Sequence, residues 1–290
     1  MTRRKFLWAA GAAGALALGA DSLFLEPVHP ELVRVEIALE RLPAAFDGFT
    51  IAQLSDFHYD EHFGVHPIRA AVDLVNGVRP DLVVLTGDFV TASLLVKQLH
   101  NGKESARAAE PCAKLLAGLQ ARLGKLAVLG NHDVGTDPGF VTEALQSNDI
   151  PVLCNTAFLI EQGGERLWLA GLDSLERKPK MEAALKIIPQ SEPVVLLVHE
   201  PDFADRAAKY PVDLQLSGHS HGGQIWLPGI GAPWLPYWAR KYPRGRYQVG
   251  RLPLYTNIGL GTIRVPVRLN CTPEVTLVTL RAGNGNKRPA

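Results

Sequence analysis

The chain has 290 residues, 47% hydrophobic and 20% charged, with a formal net charge of +1 at pH 7. That composition is ordinary for a folded globular protein of one large domain or two small ones, and a near-neutral balance offers no field that would single out nucleic acid as a partner. Cys112, Cys154 and Cys271 fit no zinc spacing, and their odd count predicts no disulfide framework; they read as small buried apolar residues.

The first twenty residues, MTRRKFLWAAGAAGALALGA, carry a basic start, Arg3-Arg4-Lys5, and an apolar run from Phe6 to Ala20. That is the shape of an export signal. The run is shorter than the ~20 apolar residues of a membrane-spanning helix. Thr-Arg-Arg-Lys-Phe-Leu resembles the twin-arginine signal, whose route carries folded proteins. Ala15-Leu16-Ala17 offers a small-residue cleavage site, which leaves removal and retention as an anchor both open. The expected organisation is a signal or anchor over 1–25, one domain over 26–282 and a flexible polar tail over 283–290. The expected location is the periplasm or cell envelope, with membrane-surface association through an uncleaved N-terminus.

Five short runs rich in Val, Ile and Leu read as buried strands: 49–56, 81–88, 125–133, 193–200 and 212–221. Between them, 66–78, 104–123 and 138–148 read as amphipathic helices, the second carrying Pro111, which should shift or kink its start. Residues 89–99 lead from the second strand into an apolar lid or a core helix. Residues 158–172 are two strands around a Gly-Gly turn, and 274–280 alternate as a last strand. The whole predicts a layered α/β sandwich with mixed sheets.

Each of the five buried runs ends in residues that do not belong in a core: Asp56 and His58, Asp88, Asn131 to Asp133, His199 and Glu200, His219 and His221. Ligands of open α/β sheets bind at the carboxyl ends of strands, so these sets converge. In extended chain, residues two apart face the same way, which pairs Asp56 with His58 and His219 with His221. Two carboxylates, one amide and four imidazoles cannot be buried unpaired without a cost of several kcal/mol. Divalent ions would satisfy them, and ligands of this kind without thiolate suit Zn, Mn, Fe or Co. Seven ligands are too many for one tetrahedral ion and enough for two with a bridging carboxylate. Glycines beside Asp88, Asn131 and His219 allow the backbone to turn sharply there. Two divalent ions against two carboxylates leave a net charge of about +2, which favours an anionic ligand. Such a pair can activate a hydroxide that attacks phosphorus. His132, one residue from a ligand, faces another way and is placed to protonate a leaving oxygen or stabilise charge.

The ordered motifs D-x-H (56–58), G-D (87–88), G-N-H-D (130–133), a lone His199 and G-H-x-H (218–221) resemble the calcineurin-like metallophosphoesterase superfamily. The resemblance implies a four-layer α/β/β/α sandwich with a dinuclear metal site at the strand C-terminal ends. It implies that Asp56, His58 and His221 hold one ion, that Asn131, His199 and His219 hold the other, that Asp88 bridges, and that His132 is the catalytic histidine. The flanks GHSHGGQIWLPGIG, YTNIGLGTIRVPVRLN and PEVTLVTL resemble a branch of twin-arginine-exported bacterial phosphoesterases. Ser220 stands where that motif usually has Thr, and TNIGLG departs from the branch's usual approach to its Gly-Leu-Gly.

Asp133, Asp173 and Glu200 read as supporting or structural acids, and His62, His66 and His100 as surface histidines. Trp234, Trp238, Arg240, Arg244 and Arg246 read either as a surface loop or as a substrate- or membrane-facing rim. The expected enzyme is a two-metal phosphohydrolase acting on a phosphodiester or pyrophosphate of a phosphorylated small-molecule or lipid-linked substrate. The alternatives are a UDP-2,3-diacylglucosamine-type pyrophosphatase of lipid A synthesis, a non-catalytic metal- or phosphate-binding protein, and a mononuclear metal enzyme.

Overall fold

The computed structural model describes residues 1–62, 64–92 and 102–283. The apolar stretch 93–96, His100 and nearly all of the expected tail lie outside the described residues. Eleven strands form two mixed sheets among them. The first has the order β1 (Glu31–Leu39), β11 (Glu274–Ala282), β2 (Thr50–Leu54), β3 (Leu82–Leu85), β4 (Lys125–Ala127). The second has the order β5 (Thr156–Gln162), β6 (Glu165–Gly171), β7 (Val194–Leu197), β8 (Leu214–Ser217), β10 (Leu252–Thr256), β9 (Gly245–Val249). β2, β3 and β4 run parallel, as do β6, β7, β8 and β10. Parallel strands are buried on both faces, which is why LVVL and VVLL have no outward polar residue.

Three apolar cores separate four layers, as the resemblance implies. The middle core packs Ile51, Leu82 and Val84 of the first sheet against Leu169, Leu197 and Leu216 of the second. The outer face of the first sheet packs on helices Val65–Val78, Ala109–Leu116 and Pro138–Gln146. The outer face of the second packs on Met181–Leu185 and Ala204–Ala207. Gln53 joins the sheets just below the strand ends: its buried amide donates to the Ser217 carbonyl at 2.8 Å and to Thr86 Oγ1 at 3.1 Å.

Three expectations need correction. The helix expected over 104–123 is two segments, Gly102–Ala106 and Ala109–Leu116; Pro111 sits in the first turn of the second, where its missing N–H breaks nothing. β4 ends at Ala127 instead of running on to 133, because Asn131–Val134 is a helical turn. β1, which pairs in parallel with β11, is an element for which the sequence reading had no strand.

The N-terminal helix Arg3–Ala20 is followed by a π-helical turn at Asp21–Leu25 and a 3-10 turn at Glu26–Val28. Together Arg3–Val28 is long and apolar enough to cross a membrane, a test that signal sequences also pass. The run exceeds the expected Phe6–Ala20 because Asp21 does not stop the helix. Residues 22–28 already belong to the domain surface. Ser22 is buried, and its carbonyl accepts from Arg268 N at 3.0 Å. The Glu26 carboxylate accepts from Asn270 N at 3.1 Å and Cys271 N at 2.5 Å.

Candidate metal centre

The strands stop one or two residues short of the motifs, and the chain then turns left-handed. Asp56 has φ 52°, His58 39°, Asp88 58°, His219 69° and His221 51°. The expectation that Asp56 and His58, or His219 and His221, share a side because the chain is extended is therefore incorrect in its reason. Their side chains meet through successive left-handed turns, which Asp and His tolerate better than most residues. Of the three neighbouring glycines, only Gly87, at φ 97°, supplies a turn closed to other residues. Gly130 and Gly218 are needed for close approach: a Cβ at Gly130 would sit on the Asp88 carboxylate, and one at Gly218 on Ser55 Oγ and the Asp56 carboxylate.

The side chains converge as two overlapping groups. In the first, His58 Nε2 lies 3.0 Å from His221 Nε2, and His221 Nε2 lies 3.3 Å from Asp56 Oδ1. In the second, His199 Nε2 lies 3.1 Å from both His219 Nδ1 and Asp88 Oδ2. The same Asp88 oxygen is 3.5 Å from His58 Nε2, so Asp88 stands between the groups. These are the separations of neighbouring ligands around an ion bonded at about 2.0–2.2 Å. Asp56, His58, Asp88, His199, His219 and His221 are all at most 8% exposed. Asn131 Oδ1 is buried with no hydrogen-bond partner, and Asn131 and His219 line the same two cavities. An orphaned amide oxygen beside facing imidazole nitrogens fits a cation and little else.

Second contacts orient the rings. His199 Nδ1 lies 2.6 Å from the Thr86 carbonyl, His219 Nε2 2.8 Å from the Tyr237 carbonyl, and His58 Nδ1 3.1 Å from Thr91 Oγ1. Each such contact fixes which nitrogen faces the centre. Burial holds the pKa values of His219 and His221 down to about 4, and burial with the neighbouring His132 and His221 holds His58 well below its usual range. These three rings are neutral at pH 7, the form that ligates metal. His199 is the exception: burial lowers it, but the Asp88, Asp56 and Glu200 carboxylates outweigh burial and raise it well above the usual value. Burial pushes Asp88 up, but the surrounding histidines outweigh it and hold Asp88 well below the ordinary carboxylate range.

Asp133 is buried and welds two loops. It accepts from the backbone N–H of Asp88 and of Gly130 at 2.8 Å, of Phe89 at 2.8 Å and of Val90 at 3.2 Å. Burial and the nearby Asp88 carboxylate push it up to about 7 against those donors. His132 is half-buried beside the centre. Its backbone N–H donates to Asp88 Oδ1 and its Nδ1 accepts from Ala92 N, both at 2.8 Å. Its ring meets that of His58 edge-on, with centroids 4.7 Å apart.

Two arginines escaped the sequence reading. Arg268 is fully buried and donates to the carbonyls of Ile258, Gly259, Gly261 and Cys271. The Gly-Leu-Gly it braces lies under the first group: Leu260 N donates to the Ser55 carbonyl at 3.0 Å and Gly261 N to the Asp56 carbonyl at 2.7 Å. One of two arginines in an apolar run gave no sign of this. Arg264 lines the main cleft of about 770 Å³ together with Asp88, His132 and Trp234. Of the expected rim, Trp234 lines that cleft and Trp238 an adjoining recess. Arg240 lies over Tyr237, Arg244 stacks on Trp226, and Arg246 donates to the Glu36 carbonyl of β1; none of the three lines either cavity. His62 and His66 are exposed, as is Cys154, whereas Cys112 and Cys271 are buried.

Residues 49–223 match the calcineurin-like phosphoesterase family. The uncharacterized metallophosphoesterase YkuE of Bacillus subtilis is 36% identical over 293 residues, covering 98% of this chain and 99% of its own. Phosphodiesterase YaeI of Escherichia coli is 32% identical over 289 residues, covering 97% and 99%. A transmembrane protein with metallophosphoesterase domain from Danio rerio is 32% identical over 267 residues, covering 87% of this chain and 57% of its own. With the paired Asp and His groups able to hold two ions, this chain belongs to the calcineurin-like phosphoesterases, metal-dependent hydrolases of phosphoester bonds.

Proposed function

We propose that the enzyme cleaves a phosphodiester or pyrophosphate of an amphiphilic substrate at the cell envelope. The observation that carries this reading is a centre with room on two sides. The main cleft borders Asp88, Asn131 and His132. A second cavity of about 470 Å³ passes His58 and Thr91 and is lined by Leu23, Pro27, Val28 and Val265. A phosphorus with substituents on both sides uses both spaces, whereas a monoester uses one. The second cavity is lined by polar residues as well, Asp60, Glu104 and Arg264 among them, and its apolar side of Leu23, Pro27, Val28 and Val265 suits a hydrocarbon arm; phosphodiesterase is the printed activity of the Escherichia coli relative. Amphiphilic diesters and pyrophosphates, UDP-diacylglucosamine among them, are then expected to exceed p-nitrophenyl phosphate at least tenfold in kcat/KM, a difference of about 1.4 kcal/mol. A preference for the small monoester overturns the reading.

In this proposal Asp56, His58 and His221 hold one ion, Asn131, His199 and His219 the other, and Asp88 both. When bound, two divalent ions, Zn, Mn, Fe or Co, supply Lewis-acid polarisation of the phosphoryl oxygens and a water of lowered pKa. Arg264 brings a further positive charge to the cleft for the phosphate. Asp88→Ala is expected to lose most of both ions and Asn131→Ala to weaken one, read by metal analysis of the purified protein. A wild-type chain saturated by one ion contradicts the assignment.

His132 acts as the proton donor. Its Nδ1 lone pair takes the Ala92 N–H, so a neutral ring carries its proton on Nε2, where it serves the leaving oxygen or a phosphoryl oxygen and does not ligate. His132→Ala should keep both ions and lower kcat about 10²–10⁴-fold. Loss of an ion on that change would make His132 a ligand.

The apolar helix ahead of residue 22 serves as a twin-arginine signal or, uncut, as an anchor for the domain that follows. A cut after Ala17 leaves the docked segment 22–28 on the enzyme. Replacing Arg3 and Arg4 with Lys keeps the charge and should hold the protein in the cytoplasm, read by fractionation. Export of the double-Lys protein in normal amount would instead mark a general secretory signal.

A further inference from the structure

A recess of about 190 Å³ opens beside the metal centre, on the side of Asn131 and His219. Glu200 lines it, only 1% exposed. Its Oε1 accepts from Ser174 Oγ at 2.5 Å and from Leu175 N at 3.2 Å. Its Oε2 is buried with no hydrogen-bond partner. Trp234, Tyr237 and Trp238 line the same recess, the last two edge to face with centroids 4.5 Å apart, and the exposed Glu176 stands at its mouth. Two carboxylates and three aromatic rings in one small space make an environment for a cation. The neighbouring guanidinium groups do not fill it: Arg264 lies over Trp234 but lines the main cleft, and Arg240 lies over Tyr237 from outside the recess.

We infer that this recess takes the ammonium group of the substrate, so that the enzyme favours phosphoesters whose alcohol carries a quaternary or primary ammonium on a short alkyl tether. This rests on the phosphoesterase reading. The metal centre and Arg264 receive the phosphate, and the recess next to Asn131 and His219 receives the positive end. Glu200 Oε2 supplies the missing partner of an N–H donor or the counter-charge of a methylated one. The aromatic faces replace the water that a buried ammonium loses.

The test compares two esters of equal shape on the metal-loaded, full-length enzyme: p-nitrophenylphosphorylcholine and its neutral isostere, p-nitrophenyl 3,3-dimethylbutyl phosphate. In both, water oxygen bonds to phosphorus, the P–O bond to the aryl group breaks, and p-nitrophenolate leaves with the electron pair. The wild type is expected to favour the cationic ester about tenfold or more in kcat/KM, mainly through KM, the scale of one desolvated cation–aromatic and charge contact. Glu200→Gln should bring that ratio most of the way to one. If Glu200→Gln does not fold, Trp238→Ala, at a side chain already 40% exposed, should lower the same ratio. Tryptophan fluorescence should also report tighter binding of phosphocholine than of 3,3-dimethylbutyl phosphate. A wild-type ratio near one, or a ratio unmoved in both variants, overturns the inference. Hydrolysis of neither ester, with fluorescence still favouring phosphocholine, would keep the cation site and overturn the phosphoesterase reading instead.

Discussion

The structure turns on left-handed backbone at the strand ends. Five of the seven residues that face the metal centre are non-glycine with φ between 39° and 69°. Each such residue costs on the order of 1 kcal/mol or more relative to ordinary backbone, and it persists only when its surroundings dictate it. The surroundings here are specific. Asp133 holds the N–H groups of Gly130, Asp88, Phe89 and Val90, which fixes the Asp88 turn against the His132 turn. The Asp56 turn is held from below by Gly261 N and from the side by His219 N, which donates to the Asp56 carboxylate at 2.9 Å. Arg268 collects the carbonyls that the Gly259–Gly261 loop cannot pair with itself. Without these three anchors the ligands would relax outward with their loops.

The same convergence sets the electrostatics. Two buried carboxylates stand among four buried imidazoles, and the balance between them differs ring by ring. His199 lies nearest Asp88, at 3.1 Å, and 4.0 Å from Asp56, so its proton is favoured. At His219, His221 and His58 burial is the largest influence and outweighs the pull of the carboxylates. His58, His219 and His221 are therefore in the form that could ligate a cation, whereas His199 would have to give up a proton to do so. Ions bound only by the folded chain would add stability by mass action and so would support the strained turns on which these side chains sit.

What the sequence revealed, and what it concealed, follows from the range of each signal. Buried parallel strands must be apolar on both faces, so 82–85 and 194–197 stand out as unbroken aliphatic runs, and polar residues at their ends have no packing reason to be there. That logic brought together Asp56, His58, Asp88, Asn131, His199, His219 and His221 from positions up to 165 apart in the chain. β1 carries a weaker signal: Val33, Val35, Ile37 and Leu39 alternate over 31–39, but only Ile37 and Leu39 are buried, and the pairing with β11 that makes the strand is distant in sequence. Backbone hand is invisible in a string of letters: extended and left-handed chain both place residues two apart near each other here, for different reasons. Arg264 and Arg268 are four residues apart in one apolar segment, yet one lines the cleft and the other is sealed beneath it. Only tertiary contacts separate them. Arg246 shows the converse, a cation drawn into the rim by sequence proximity and turned by its strand toward β1.

The N-terminal segment is coupled to the centre through few bonds. Glu26 accepts from the backbone of Asn270 and Cys271, and the Cys271 thiol donates to the His221 carbonyl at 3.0 Å. Arg268, which braces the loop under Asp56, gives its own backbone N–H to the Ser22 carbonyl. Residues 22–28 therefore pack onto the loop that backs two of the ligand turns, and Leu23, Pro27 and Val28 line the cavity that passes His58. The exposed Leu23 and Val265 leave an apolar margin at that cavity. Cutting the chain before residue 22 would preserve this margin; cutting after 28 would remove it and release the backbone groups of 268, 270 and 271 at once. The stretch after the apolar helix is thus part of the enzyme's structure whichever fate the helix itself meets.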